Sequence, residues 1–91
     1  MRFEWDDDKA SDNEGRHGVS FHEAAEVFMD PNVIEFYDED HSTPGEQRLK
    51  AIGLSSRRLL FVVFVEISDD CHRIIHARVA DGKMEQLYVN Q

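Results

Sequence analysis

The sequence predicts an α+β fold with a mainly antiparallel sheet. Helical and strand patterns fall into separate blocks, as expected for α+β rather than alternating βαβ units. One segment alternates cleanly between polar and apolar residues, with Glu46, Arg48 and Lys50 opposite Leu49 and Ala51. Another, Leu-Leu-Phe-Val-Val-Phe-Val within Arg58–Ile67, is apolar on both sides and reads as a central strand covered on both faces.

The elements follow in order. Arg2 to Trp5 alternates charged and aromatic residues and reads as a short strand. Asp6, Asp7 and Asp8 suit the N-terminus of a short, partly exposed helix, and Gly18 supplies a left-handed stop after His17. Ser20 with Glu23 three residues on forms a capping-box pattern, and Phe21, Ala24, Ala25 and Phe28 recur at helical spacing. That predicts an amphipathic helix of about ten residues, ended by Asp30-Pro31-Asn32, with its phenylalanine stripe in the core. Val33 to Asp38 is rich in strand formers, and Asp38 to Gly45 is a polar turn. Strands are expected over Glu46–Leu54, Arg58–Ile67 and Cys71–Val79. In the last, Ile75, Ala77 and Val79 share one face, and His72, Ile74, His76 and Arg78 the other. Asp81 caps a final short helix carrying Met84, Leu87 and Tyr88 on one stripe. The order is a strand, one or two helices, three or four strands, and a short helix.

With 91 residues, the chain has room for one hydrophobic core, so a single domain over residues 1–91 is expected and a multidomain enzyme is excluded. Nineteen Asp and Glu against ten Lys and Arg give a net charge of −9, which disfavours nonspecific nucleic-acid binding and favours a basic partner. No apolar run approaches a membrane span, and the start lacks an apolar segment behind a basic one, so a cytoplasmic location without membrane contact is expected. Cys71 is the only cysteine, which leaves no internal disulfide; it reads as a small buried side chain.

Candidate chemistry gathers on the polar face of the sheet, with Glu46, Arg48 and Lys50 on one strand and His76 and Arg78 on another. These types suit RNA cleavage through the ribose 2′-OH. A Glu or His removes its proton, an acid protonates the leaving oxygen, and arginine holds the phosphate. Tyr88 suits stacking on a base or proton donation. A solvated face with cross-strand pairs such as Glu46 to Arg78 is the competing interpretation. Asp38, Asp40 and His41 fall within four residues and offer oxygen and imidazole ligands, but an acidic turn between strands is commonplace, and no metal or cofactor is expected. His17 and His22 lack metal-ligand spacing.

Longer motifs carry a resemblance. They are Phe3-Glu4-Trp5-Asp6 with Lys9, Asn13, Arg16-His17-Gly18-Val19-Ser20-Phe21, Glu23-Ala24-Ala25, Val27-Phe28 and Asp30-Pro31, then Asp40-His41-Ser42 with Gly45-Glu46 and Arg48, Ile52-Gly53 with Ser55, and Arg73-Ile74-Ile75 with Ala77-Arg78. In this order and over nearly the whole chain, they resemble the BrnT ribonuclease toxins of bacterial type II toxin–antitoxin pairs. The resemblance implies a compact RelE-like fold, with a four-stranded, mainly antiparallel sheet, two N-terminal helices and a short C-terminal helix. It implies metal-independent endoribonuclease activity that arrests translation, neutralised by a BrnA-like antitoxin. Toxins of this type look like dimers that assemble with two antitoxin chains, and DNA is contacted only through the antitoxin. Glu46, Arg48, Arg78, Glu85 and Tyr88 fall where the family keeps such residues. His76 is added from its chemistry, and Lys50 and Arg73 join Glu85 as expected substrate contacts. The family's basic run and Arg-rich last helix are replaced by Ile75-His76-Ala77-Arg78-Val79-Ala80-Asp81 and a helix holding only Lys83. That loss of phosphate contacts motivates an alternative: a weak or inactive homologue serving as an antitoxin-binding regulatory subunit.

Overall fold

A computed structural model describes residues 1–91. Strand β1 (Arg2–Glu4) leads into α1 (Asp7–His17) and α2 (Phe21–Ala25), which tightens into a 3-10 turn over Glu26–Met29. Strands β2 (Ile34–Tyr37), β3 (Leu49–Leu54), β4 (Leu59–Ser68) and β5 (Cys71–Val79) follow, and α3 (Gly82–Val89) ends the chain. No helix is long and apolar enough to cross a membrane.

The sheet has five strands in the order β1-β5-β4-β3-β2 and is mixed, which corrects the expected four-stranded arrangement. β2 to β5 pair antiparallel in chain order, whereas β1 joins β5 in parallel with Arg2 opposite Cys71. Three residues pairing across some seventy positions leave no local trace, so alternation reveals the strand but not its partner. The second helix is also shorter than ten residues: it gives one α turn and then narrows, as helices often do near their ends.

Local chemistry sets the boundaries. The Asp6, Ser20 and Asp81 side chains accept the backbone N–H of Lys9, Glu23 and Met84 respectively, each at 3.0 Å. Gly18 closes α1 at φ 67°, where a side chain would be strained. The Ser20–Glu23 pattern is only half a capping box, because the Glu23 carboxylate turns away to Arg58. Arg58 donates from Nε at 3.0 Å and from Nη2 at 2.8 Å, and the Ser55 hydroxyl adds a bond of 2.8 Å.

The α1/α2 side of the sheet carries the main core, where Phe21, Ala24 and Val27 pack on Ala51, Leu60, Val62, Phe64, Ile74 and Ala77. At Gly53 the strand passes so close to the 3-10 turn that a Cβ would sit 3.1 Å from Val27 and Val33. On the opposite face Ile52, Phe61 and Val63 form a smaller cluster, covered in part by Met84 and Tyr88 of α3. That thin cover leaves room for a cleft.

Arg58, helped less by Ser55, holds the Glu23 carboxyl below its ordinary 4.5 against the opposing effect of burial. A lowered folded-state pKa contributes stability that is full above about pH 4.5 and lost as pH falls through the folded value. Glu23→Gln is expected to destabilise by about 2 kcal/mol at pH 7, less than a fully buried pair because Arg58 is partly exposed. Urea unfolding should show the gap closing towards pH 3; a gap unchanged with pH would contradict this origin.

Candidate active site

The cleft is built around an irregularity in β5. Val63 pairs with His76 but Phe64 pairs with Ile74, so Ile75 is an extra residue, a β-bulge. Up to Ile74 the even positions face the helices, and beyond the bulge the odd position Ala77 does. The expected common face of His72, Ile74, His76 and Arg78 therefore splits. His72 and Ile74 are buried on the helical side, His72 against Phe28 and Phe64, while Ile75 turns away from Ala77 to the cleft side with His76 and Arg78. Lys50, Val63 and His76 form one row across β3, β4 and β5, and Ile52, Phe61 and Arg78 form the next.

On this face lies a cleft of about 660 Å³, floored by Phe61, Val63 and Ile75. β5 supplies His76 and Arg78, β3 supplies Lys50, the β2–β3 connection supplies Asp38, His41 and Arg48, and Met84 and Leu87 of α3 close one side. The connection is held by its own hydrogen bonds. The Asp38 backbone N–H donates to the Arg48 carbonyl at 2.9 Å, the Ser42 hydroxyl to the Asp38 carbonyl at 2.6 Å, and the Arg48 N–H to the Ser42 hydroxyl at 2.8 Å. Glu46 pairs with Thr43 in a tight turn, so β3 begins at Leu49 rather than at Glu46.

Charges in the cleft are arranged in pairs. Asp38 is 1% exposed, and its carboxylate lies 2.9 Å from His41 Nδ1 and 3.6 Å from Lys50 Nζ. Arg48 Nε donates to Glu46 at 2.9 Å. The Arg78 guanidinium lies 5.0 Å from the Phe61 ring centre and 3.9 Å from Asp81. His76 meets the His17 ring edge-on at 4.8 Å. Burial, then the neighbouring His17 and Arg78, push the His76 pKa below its ordinary 6.5, which keeps the ring neutral at pH 7.

Of the residues expected from the sequence, Arg48, Lys50, His76 and Arg78 meet in this cleft. Glu46 and Arg73 line an adjoining depression of about 350 Å³ with Arg48 and Lys9, and there Arg73 is engaged by Glu4. Tyr88 and Glu85 do not line the cleft. The Tyr88 hydroxyl donates to Asp30 at 2.7 Å, a bond that raises its pKa and ties α3 to the end of the 3-10 turn. Glu85 is exposed on the first turn of α3. No group of three or more His, Cys, Asp or Glu side chains converges as a metal site. Asp38 and His41 stand out in the sequence only as an acidic turn with possible metal ligands; their pairing within the cleft is what the sequence does not reveal.

A third, shallower depression holds Arg16 and His17, and all three share Ile75. Together they gather six of the ten Lys and Arg but only five of the nineteen Asp and Glu, so most of the acidity lies elsewhere on the molecule.

A family profile described as the ribonuclease toxin BrnT of type II toxin–antitoxin systems matches residues 5–83. The chain belongs to the BrnT family. The crystal structure of the Brucella abortus ribonuclease toxin BrnT is similar at 23% sequence identity, covering 89% of this chain and 97% of that one with a TM-score of 0.69, a likeness of fold. No curated protein matches the chain. The stretch shared with the BrnT family contains Asp38, His41, Arg48, Lys50, His76 and Arg78, and stops short of Glu85 and Tyr88.

Proposed function

We propose that the chain is a metal-independent endoribonuclease toxin, one domain over residues 1–91, that arrests translation by cutting RNA in the cleft and is neutralised by a BrnA-like antitoxin. The concentration of basic side chains on one concave face of a chain of net charge −9 carries this reading. Arg48 and Arg78 bind the scissile phosphate, with Glu46 positioning Arg48 and with Lys50 and Arg73 extending the phosphate track. Neutral His76 accepts the 2′-OH proton, since a base must be unprotonated at the working pH. The protein works in the cytoplasm as a homodimer or in an assembly of two toxin and two antitoxin chains, and DNA is contacted only by the antitoxin.

RNA cleavage in EDTA tests the reading. Arg78→Ala is expected to be slower by about 10²–10³-fold, the usual loss for one donor to a developing oxyanion. Equal cleavage by variant and wild type, or none by the wild type, would overturn the site.

One observation favours a second reading. Arg48, Lys50, Arg73 and Arg78 are each engaged by a carboxylate, so RNA must displace those partners. A weak toxin homologue retained as an antitoxin-binding regulatory subunit would tolerate this. Growth arrest on expression without the antitoxin excludes it.

A further inference from the structure

The ribonuclease reading leaves the leaving group without an acid. Cleavage through the 2′-OH needs two proton transfers, and His76, held neutral, is suited to only one. Glu46 is committed as a carboxylate to Arg48, and the Tyr88 hydroxyl is committed to Asp30 away from the cleft. His41 stands on the cleft wall contributed by the β2–β3 connection, whereas His76 stands on β5. Its Nδ1 contacts both Asp38 carboxylate oxygens, at 3.1 and 2.9 Å, and its own backbone N–H reaches the same carboxylate at 3.3 Å. Asp38 is buried and shared with Lys50, so it is a fixed acceptor, while the His41 side chain remains 67% exposed. A carboxylate on Nδ1 selects the orientation and leaves Nε2 as the outward nitrogen. It also forms an ion pair with the ring when the ring is protonated.

We propose that His41, positioned by Asp38, is the general acid of the reaction, an assignment that rests on the ribonuclease reading above. The bond between O2′ and phosphorus forms as the 2′-OH proton passes to His76. The bond between phosphorus and O5′ breaks with its electron pair on O5′, which takes the proton from His41 Nε2. The products are a 2′,3′-cyclic phosphate and a 5′-hydroxyl end, and the two histidines return to their starting forms by exchange with solvent.

The test compares two RNA oligonucleotides of one sequence, cut at a site mapped with the wild-type protein. One has oxygen and the other sulfur at the 5′ bridging position. A thiolate leaves without protonation, so an acid matters only for the oxygen substrate. His41→Ala is expected to slow cleavage of the oxygen substrate by about 10²–10⁴-fold, the usual contribution of general acid catalysis, and to cut the sulfur substrate within a few-fold of wild type. His76→Ala is expected to lose both. Asp38→Asn should show the His41 selectivity at smaller amplitude. For His41→Ala, equal losses on both substrates or full activity on the oxygen substrate overturns the general-acid role; for His76→Ala, full activity on either substrate overturns the general-base role. If the wild type cuts neither, the ribonuclease reading itself fails.

Discussion

Asn13→Ala is expected to destabilise the protein by about 3 kcal/mol, since each buried polar group left without a partner costs roughly 1–3 kcal/mol. Asn13 lies on α1 and is 6% exposed. β1 pairs only with Cys71 to Arg73, so the rest of β5 has no neighbouring strand on that side. The Asn13 amide takes the place of one. Its Oδ1 accepts the Ala77 N–H at 3.1 Å, and its Nδ2 donates to the Ala77 carbonyl at 2.8 Å and to Val19 O at 3.0 Å. Alanine strands all three groups. For a chain of this size each kcal/mol corresponds to roughly 4–8 °C in Tm. Asn13→Asp keeps one acceptor but sets a carboxylate against two carbonyls, so it should be at least as damaging. A loss below about 1 kcal/mol by calorimetry or urea unfolding would show that water replaces the amide.

His76→Ala is expected to reduce RNA cleavage by about 10²–10⁴-fold, the range for a general base. The wild-type pH profile supplies a sharper check. Burial and then His17 depress the His76 pKa, so the neutral, proton-accepting form already predominates below pH 6.5. Cleavage measured as kcat/KM should therefore rise with pH through a midpoint below 6.5. His17→Ala removes the neighbouring ring, and the midpoint should move up. A midpoint at or above 6.5, or one indifferent to His17, would assign the base elsewhere.

The order of helices and strands was legible because periodicity is local: Phe21, Ala24 and Phe28 announce a helix, and the Leu59–Val65 run announces the central strand. What escaped was non-local or aperiodic. The parallel seat of β1 on β5 depends on residues far apart in the chain. The bulge at Ile75 breaks the period-two rule, so strict alternation groups His72 and Ile74 with His76 and Arg78 although they are buried on the helical side. Arg48, Lys50, His76 and Arg78 were legible as a group because charged and imidazole side chains interrupt apolar strands there. The chemistry of Tyr88 suits a catalytic or stacking role, but its hydroxyl is claimed by Asp30, 58 residues away. At Asp38 and His41 the sequence reads as a commonplace acidic turn, and only the fold shows the carboxylate buried beneath Lys50 and the imidazole.

The bulge at Ile75 also governs which kinds of change β5 can absorb. Side chains alternate strictly along a strand, so removing one residue there would restore regular pleating and exchange the two faces of everything on one side of the deletion. Either Cys71–Ile74 would bring the His72 ring into the cleft and strip Ile74 from the core, or His76 and Arg78 would be driven under the helices. Substitutions at His76 or Arg78 fall on the cleft face, because beyond the bulge the core side of the strand is taken by Ala77. This strand should therefore accept a wide range of side chains at its cleft positions and almost no change in length, a contrast that a library of point substitutions and single-residue deletions across Cys71–Val79 would display directly.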